Sequence, residues 1–387
     1  MRTAHIITRL ILGGAQENTL FNVDDQHHIH GDQVCLITGP GAGPEGSLEQ
    51  RARQRGLDLR VLPELGRSIR PWQDLLALRA IRRTLRQFQP EIVHTHSSKA
   101  GILGRLAAHQ LHIPAVHTIH GAAFHFGQNP LAWHAYRMAE RAAARWCQHL
   151  ISVCNAMTAQ YLAAGIGTPE RYTTIYSGMD VDRFLTPQRP PAEIRAELGL
   201  QPHHIVFGKV ARLFHLKGHN HLIEAAPAVV QALPNARFLL VGDGILREHY
   251  QQRINQLGLT SHFHFTGLVQ PENVPDYLHA MDVVVHTSDW EGLPRVLPQA
   301  LLAAKPIIAF NIDGAPEVCI PNVTGLLAEH GNTQQLTNAM LQLGSTPQLR
   351  NQLGQTGRQH CQKIFRHEFM TQEIRNVYQQ VLNQKHP

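Results

Sequence analysis

Three charged side chains are set where chemistry on a phosphate-bearing sugar could be done. In the stretch VFGKVARLFHLKGHNHLIEAA, Arg212 stands just past an expected strand and Lys217-Gly218 opens an expected helix. A planar guanidinium, a mobile ammonium and a helix N-terminus then converge on one spot, which suits a diphosphate. A charge-neutralised diphosphate is also a better leaving group. Further on, HTSDWEGLPRVLPQALLAAKPIIAFNIDGAPEV carries Glu291-Gly292-Leu293 in a tight loop, with a helix expected to open near Pro294. A carboxylate beside a helix N-terminus is stabilised there and can accept hydrogen bonds from sugar hydroxyls. Gln299 lies on the following helix. A second loop, Asp313-Gly314-Ala315-Pro316-Glu317, again leads from strand toward helix, and its backbone amides are expected to reach a sugar or phosphate oxygen.

The first half supplies its own candidates. Gly13-Gly14 follows the first strand and precedes a helix, and glycines there permit close backbone approach to a ligand. His120 closes the strand in HTIHG. Asp180-Val181-Asp182 is a literal Asp-x-Asp pair of the kind that holds a divalent metal elsewhere, but it sits in a turn and is read as structural. The chain has 27 histidines, several in close pairs (His27-His28, His94/His96, His203-His204, His262/His264). None has the spacing of a zinc site, so no metal is expected.

The elements that must position these residues follow a strand–helix rhythm. Strands are expected at Ala4–Thr8, Gln33–Thr38, Leu59–Leu62, Ile92–Thr95, Ala115–Ile119, Leu150–Val153 and Tyr172–Ile175, with helices such as Gln16–His30, Gly46–Arg55, Trp72–Gln87 and Lys99–Gln110 between them. Near-continuous apolar strands alternating with helices imply a parallel sheet covered on both faces. The Pro-rich run LTPQRPP (185–191) reads as a linker, after which the rhythm restarts at Ile205–Val210, Ala236–Val241, Phe263–Thr266, Val283–Thr287, Pro306–Ala309 and Gly325–Leu327. The expected organisation is α/β, with two Rossmann-like doubly wound domains at 1–184 and 192–364. A last helix, within 365–387, is expected to return to the first domain. Ligands of such sheets sit beyond the carboxyl ends of the strands and in a cleft between the halves.

Composition bounds the rest. At 387 residues and 43% hydrophobic, the chain is long enough for two full cores. A formal charge of +6 suits polyanionic partners without choosing one. Five scattered cysteines without a CxxC pair read as reduced thiols of a cytoplasmic protein. The N-terminus does not read as a signal peptide, and no stretch reaches the ~18 apolar residues of a membrane span. The helix around Trp72–Phe88, rich in arginine, is read either as packing its apolar stripe on the sheet or as lying on an anionic leaflet at the inner face of the membrane. No nucleic-acid-binding motif is present.

The segments ARLFHLKG, EGLPRVLPQAL and DGAPEV…TGLL together resemble the retaining glycosyltransferases of family 4, also called group 1, whose fold is GT-B. The resemblance covers nearly the whole chain. It implies that Arg212 and Lys217 bind the donor diphosphate and that Glu291, the first acid of a Glu-x7-Glu signature, contacts the donor sugar. The second acid, which binds the ribose hydroxyls, is Gln299 here, so altered ribose binding is expected. Val269, Gly292, Leu293 and Gly314 join the donor set by the same likeness. Gly14 and His120 fall near the donor phosphates, reacting sugar and acceptor. The resemblance further implies that no cofactor is needed beyond the nucleotide-diphosphate-sugar substrate, and it leads to the expectation of a glycan or lipid-linked acceptor in surface polysaccharide or glycolipid assembly. Several alternatives remain. One is a non-catalytic nucleotide-sugar binder, motivated by Gln299. Another is an epimerase or phosphorylase of the same fold. The third is an NAD-dependent dehydrogenase, suggested by the G-x-G-x-x-G pattern Gly41-x-Gly43-x-x-Gly46.

Overall fold

The computed structural model describes residues 1–41, 46–124 and 127–384. The chain forms two units, Met1–Met179 with Phe365–Pro387 and Asp180–Ile364. In the first, strands β1 (Arg2–Arg9), β2 (Gln33–Gly39), β3 (Asp58–Val61), β4 (Ile92–His96), β5 (Ala115–Ile119), β6 (His149–Ser152) and β7 (Tyr172–Thr174) make a 7-stranded sheet. Its order is β3-β2-β1-β4-β5-β6-β7, and every pairing is parallel. In the second, β8 (Ile205–Val210), β9 (Ala236–Val241), β10 (Phe263–Gly267), β11 (Val283–His286), β12 (Ile307–Phe310) and β13 (Gly325–Ala328) make a 6-stranded parallel sheet, β10-β9-β8-β11-β12-β13. Strand–helix–strand crossovers of this kind place helices on both faces, and the apolar strand residues become the core. In the second unit that core includes Phe207, Leu222, Phe238, Val283 and Phe310.

Each sheet reverses its winding at one point, between β1 and β4 in the first unit and between β8 and β11 in the second. The loops leaving the two flanking strands diverge there, which opens a crevice at the carboxyl ends. The loops after β1 and β4 carry Gly13-Gly14 and Ser97-Ser98. The loops after β8 and β11 carry Arg212, Lys217 and Glu291.

The unit boundary falls at Met179, before the expected end of the first domain at residue 184. Met179 donates its amide to the Phe365 carbonyl at 2.8 Å and pairs with Arg366, so the chain is tied into the first unit there. The short helix Asp182–Leu185, opened by the second residue of the Asp-x-Asp pair, already belongs to the second unit. The expected linker 185–191 is also part of that unit. The amides of Gln188 and Arg189 donate to Asp276 Oδ1 at 2.7 and 3.2 Å, and helix Pro191–Glu197 starts at its end. Proline breaks regular structure in this run, but a buried carboxylate fixes its path.

The helix His367–Asn383 packs against helix Gly14–His28 in the first unit. Its anchors are buried polar bonds. Asp25, 2% exposed, accepts from His367 Nδ1 at 2.8 Å and Thr371 Oγ1 at 2.9 Å. Asp32 accepts from Arg375 Nε at 2.8 Å and from the N-terminal amine at 2.8 Å.

Candidate functional site

In the second unit the site is assembled from two neighbouring strand ends. The loop after β8 runs from Ala211 to Gly218 and carries Arg212 and Lys217 into helix His219–Ala232. Gly218 caps that helix at φ +60, and a Cβ there would lie 1.6 Å from the Thr287 carbonyl oxygen. Only glycine therefore lets the loop close onto the end of β11. Thr287 locks the contact by donating to the Gly218 carbonyl at 2.6 Å.

That closure brings Lys217 to Glu291. Lys217 Nζ donates to Glu291 Oε1 at 2.5 Å, and Ser288 Oγ donates to the same oxygen at 3.0 Å. The Glu291 amide donates to Asp313 Oδ2 at 2.8 Å, which joins the two loops that the sequence singled out separately. Burial pushes the Asp313 carboxyl up, with the Glu291 amide working against the shift. Arg212 lies on the same loop as Lys217, its guanidinium 5.8 Å from the centre of the Phe214 ring. Leu293 is buried and the carbonyl of Gly292 accepts from the Gly314 amide at 3.0 Å. Val269 sits in the loop after β10, with no direct bond to this cluster among the described residues.

Two expectations change in detail. The segment after Gly314 forms a single 3-10 turn, Ala315–Glu317, rather than the start of an α-helix. The amides of Gly314, Ala315, Glu317 and Val318 are engaged by carbonyls of Gly292, Ile312, Gly314 and Ala315, so they are not the expected donors to a ligand oxygen. The helix expected to open near Pro294 begins at Val296. Pro298 then lies in its first turn, where an N–H has no helical partner in any case, so the proline removes no hydrogen bond. Gln299 follows it, half-buried on the same turn.

Beneath the site lies a group that the sequence reading missed. Lys209, one residue before the end of β8, is 1% exposed and donates to Thr287 Oγ1 at 3.0 Å. Burial, and then the like charge of Lys217, bring its pKa down to about 7. His286, also buried, has Nε2 3.8 Å from Glu291 Oε1. Burial, followed by Lys209 and Lys217, holds it neutral, well below the usual imidazole range. A lysine inside an otherwise apolar strand was the available signal for Lys209.

In the first unit, Gly13 caps helix Gly14–His28, which starts two residues before the expected Gln16. A cavity of about 270 Å³ at the ends of β4 and β5 is lined by Ala15, Ser97, Ser98 and His120. A larger one, about 460 Å³, is lined by Arg9, Arg67 and Lys99 with Ile69, Ile102 and Leu103. The dinucleotide-like pattern follows β2, and its Gly43 lies outside the described residues. At Gly41 the amide donates to Glu49 Oε1 at 2.6 Å, so a carboxylate already takes a donor that a pyrophosphate would need.

Among the described residues, two sets of three possible metal ligands come together: His5 with the His94/His96 pair noted in the sequence, and His221, Asp289 and His330. Every ring nitrogen of His5, His94 and His96 is in a hydrogen bond with the protein. Asp289 Oδ1 lies 2.9 Å from both His221 Nε2 and His330 Nε2. Although burial opposes it, hydrogen bonds from His330 and His221 hold the Asp289 carboxyl below its usual range.

Two Rossmann-like sheets, with an Arg/Lys loop and an acid at the second switch point, are the architecture of the GT-B fold. A family model described as "Glycosyl transferases group 1" matches residues 191–360 and one described as "Glycosyltransferase Family 4" matches residues 16–183. The chain belongs to that family. It is 29% identical over 353 residues to the UDP-Gal:alpha-D-GlcNAc-diphosphoundecaprenol alpha-1,3-galactosyltransferase of Escherichia coli, across 89% of this chain and 88% of that one. Its fold matches Anabaena Alr3699/HepE, solved with UDP, at TM-score 0.80 and 23% identity, covering 98% of this chain and 99% of that chain. It also matches WaaG, a glycosyltransferase involved in lipopolysaccharide biosynthesis, at TM-score 0.73 and 16% identity over 97% and 99% of the two chains.

Proposed function

We propose that the enzyme transfers a sugar, with retention of anomeric configuration, from a nucleotide-diphosphate-sugar to a glycan or lipid-linked acceptor of surface polysaccharide or glycolipid assembly. The single observation that carries this reading is the Lys217–Glu291 pair at the switch point of the second sheet, 2.5 Å apart. An ammonium and a carboxylate held together there can grip the two ends of one ligand, the diphosphate and the attached sugar. Arg212 adds a second cation for the diphosphate. Gln299 holds the ribose, and Val269, Gly292, Leu293 and Gly314 line the nucleotide. The two charges that the diphosphate carries in the donor are then met by two cationic side chains, and the proposal invokes no metal. Intact Arg212, Lys217 and Glu291 disfavour the non-catalytic reading.

The acceptor is read onto the first unit, beside Gly14 and His120. Its larger cavity sets Arg9 and Arg67 beside an apolar wall, which suits a phosphate carrying a lipid, while Lys99 there is paired with Asp74 of the same lining. The relative from Escherichia coli, whose name includes a diphosphoundecaprenol-linked sugar, supports that class. Next to the cavity, Ile69 and Trp72 are 68% and 70% exposed, with Leu75 and Leu76 beyond them and Arg67, Arg70 and Arg79 around them. Among the described residues no helix is long and apolar enough to cross a membrane. The proposed contact is therefore peripheral, at an anionic inner leaflet, with aromatic and aliphatic groups seated among arginines. Vesicle flotation tests it. The protein should float with vesicles rich in anionic lipid, and Ile69→Ser/Trp72→Ser should sediment; equal flotation of the two would remove the proposal.

The ribose assignment has its own test. Gln299→Glu offers a charged acceptor to the ribose hydroxyls and should tighten nucleoside-diphosphate binding several-fold by isothermal calorimetry. An unchanged dissociation constant would take Gln299 out of the site. The donor itself is found by a thermal-shift screen of nucleotide sugars, because a ligand that binds only the folded chain raises its melting temperature. If no nucleotide sugar shifts the transition, the reading fails.

A further inference from the structure

Strands buried on both faces are ordinarily apolar throughout, yet one face of the first sheet is lined with imidazoles. His5 on β1 stands opposite His94 on β4 in the strand register, and His96 lies on the same face two residues on. All three are fully buried beneath helices Gly14–His28 and His367–Asn383. Burial is the main cause that lowers each of them, His5 to about 4 and His94 and His96 well below the usual range, so all are neutral near pH 7. A neutral imidazole has one N–H and one lone pair. A row of them in contact is therefore directional: whichever nitrogen accepts at one end decides which nitrogen donates at the other.

The end of the row is set by Gln26. Its Oε1 accepts from Thr3 Oγ1 at 2.8 Å and its Nε2 donates to Asn22 Oδ1 at 2.7 Å, which orients the amide. The same Nε2 lies 3.1 Å from His5 Nε2, and an amide nitrogen can only donate. His5 Nε2 thus accepts and His5 carries its proton on Nδ1, 3.1 Å from His96 Nε2. His96 in turn carries its proton on Nδ1, 3.1 Å from His120 Nε2. The neighbouring bonds are compatible with this direction: Tyr378 hydroxyl lies 2.5 Å from His94 Nδ1 and Thr118 Oγ1 2.7 Å from His94 Nε2, and each hydroxyl can donate or accept.

We infer that the Gln26 side-chain amide, acting through His5 and His96, fixes the tautomer of His120 with its proton on Nδ1. His120 then meets an oxygen as a hydrogen-bond donor and not as a base. Gln26, His5 and His96 are positioning residues. The tautomer does not depend on the proposed function; its bearing on transfer rests on the reading of His120 as a contact to the donor sugar.

The test is nitrogen-15 NMR of the full chain labelled at histidine, with the His120 signals assigned by their loss in His120→Gln. Wild-type His120 should show a protonated Nδ1 and a bare Nε2 at pH 7.5. Gln26→Met, which keeps side-chain volume and removes the donor, should move His120 toward a mixture of the two tautomers. A wild-type His120 protonated on Nε2 overturns the inference, even if the variant does not fold. A Gln26→Met protein with unchanged His120 signals overturns it as well. Transfer rate is a separate readout. Gln26→Met should lower kcat by about two- to tenfold, the worth of one neutral hydrogen bond, with KM little changed. If the tautomer moves and kcat does not, the tautomer inference stands and the sugar-contact role of His120 falls.

Discussion

Lys217→Ala should lower the rate of sugar transfer by roughly 10- to 100-fold, the worth of a charged hydrogen bond of about 1.5–3 kcal/mol made in the transition state. The residue does two things that alanine cannot. Its ammonium faces the place proposed for the diphosphate, and it pairs with Glu291 Oε1 at 2.5 Å. Without it the Ser288 hydroxyl, 3.0 Å away, is the remaining hydrogen bond to that oxygen among the described residues. Lys209 limits the loss. The like charge of Lys217 is the second cause of its lowered pKa, after burial, so in the variant Lys209 holds its proton to higher pH beneath the same site. Lys209 is pinned to Thr287 and sits inside the strand, so it keeps the potential positive without reaching the ligand. Steady-state kinetics with the identified donor decides the matter. Turnover within twofold of the wild type, in a protein that melts normally, would show that the diphosphate is held elsewhere.

The largest loss of stability is expected from Glu140→Ala. Arg105 Nη2 donates to Glu140 Oε2 at 2.8 Å with both side chains buried, 0% and 2% exposed. Arg105 rises from helix Ser98–Gln110 and Glu140 from helix Pro130–Ala143, so the pair joins two helices of the first unit. Arg105 Nε also donates to the Gly101 carbonyl at 2.8 Å. Removing the carboxylate leaves a guanidinium buried without its counter-charge, which costs about 3–5 kcal/mol. For a unit of this size that lowers the melting temperature by roughly 6–20 °C. The double substitution Arg105→Leu/Glu140→Leu should recover most of the loss, because it removes both charges together. Scanning calorimetry of the two proteins tests the point. A single variant within about 1 kcal/mol of the wild type would mean that water or a rearranged partner reaches Arg105.

These two sites differ in how far the sequence revealed them. Lys217 and Glu291 were legible because each follows an apolar strand and precedes a helix, a local pattern that survives in one dimension. The strands were legible for the same reason: Ala115–Ile119, Ile205–Val210 and Ala236–Val241 keep their expected bounds. The joining of Glu291 to Asp313 and the burial of Arg105 against Glu140 depend on contacts between distant segments, and no window of the chain displays them. Lys209 was masked by its apolar neighbours, which correctly announced a strand and drew attention from the charge within it. The histidines show the limit most clearly. His94 and His96 stood out as a pair, but their partners His5 and Tyr378 come from the first strand and the last helix, and Gln26, which bonds His5, comes from the first helix. Pro298 is harmless only because the helix starts at Val296, since a proline is costly or harmless according to its turn.

The return of the last helix to the first unit bears on how the protein is made. A ribosome delivers residues 1–179 first, then the whole of 180–364, and only afterward the segment that completes the opening fold. The intervening portion is continuous and can finish its own folding while the earlier one still waits. Until residues 367–375 emerge, Asp25 lacks His367 and Thr371, Asp32 lacks Arg375, and the surface they should meet stays bare. The nascent chain is thus most open to aggregation and proteolysis until residues 367–375 emerge, and a stop codon just before residue 367 would cripple the half that was synthesised first.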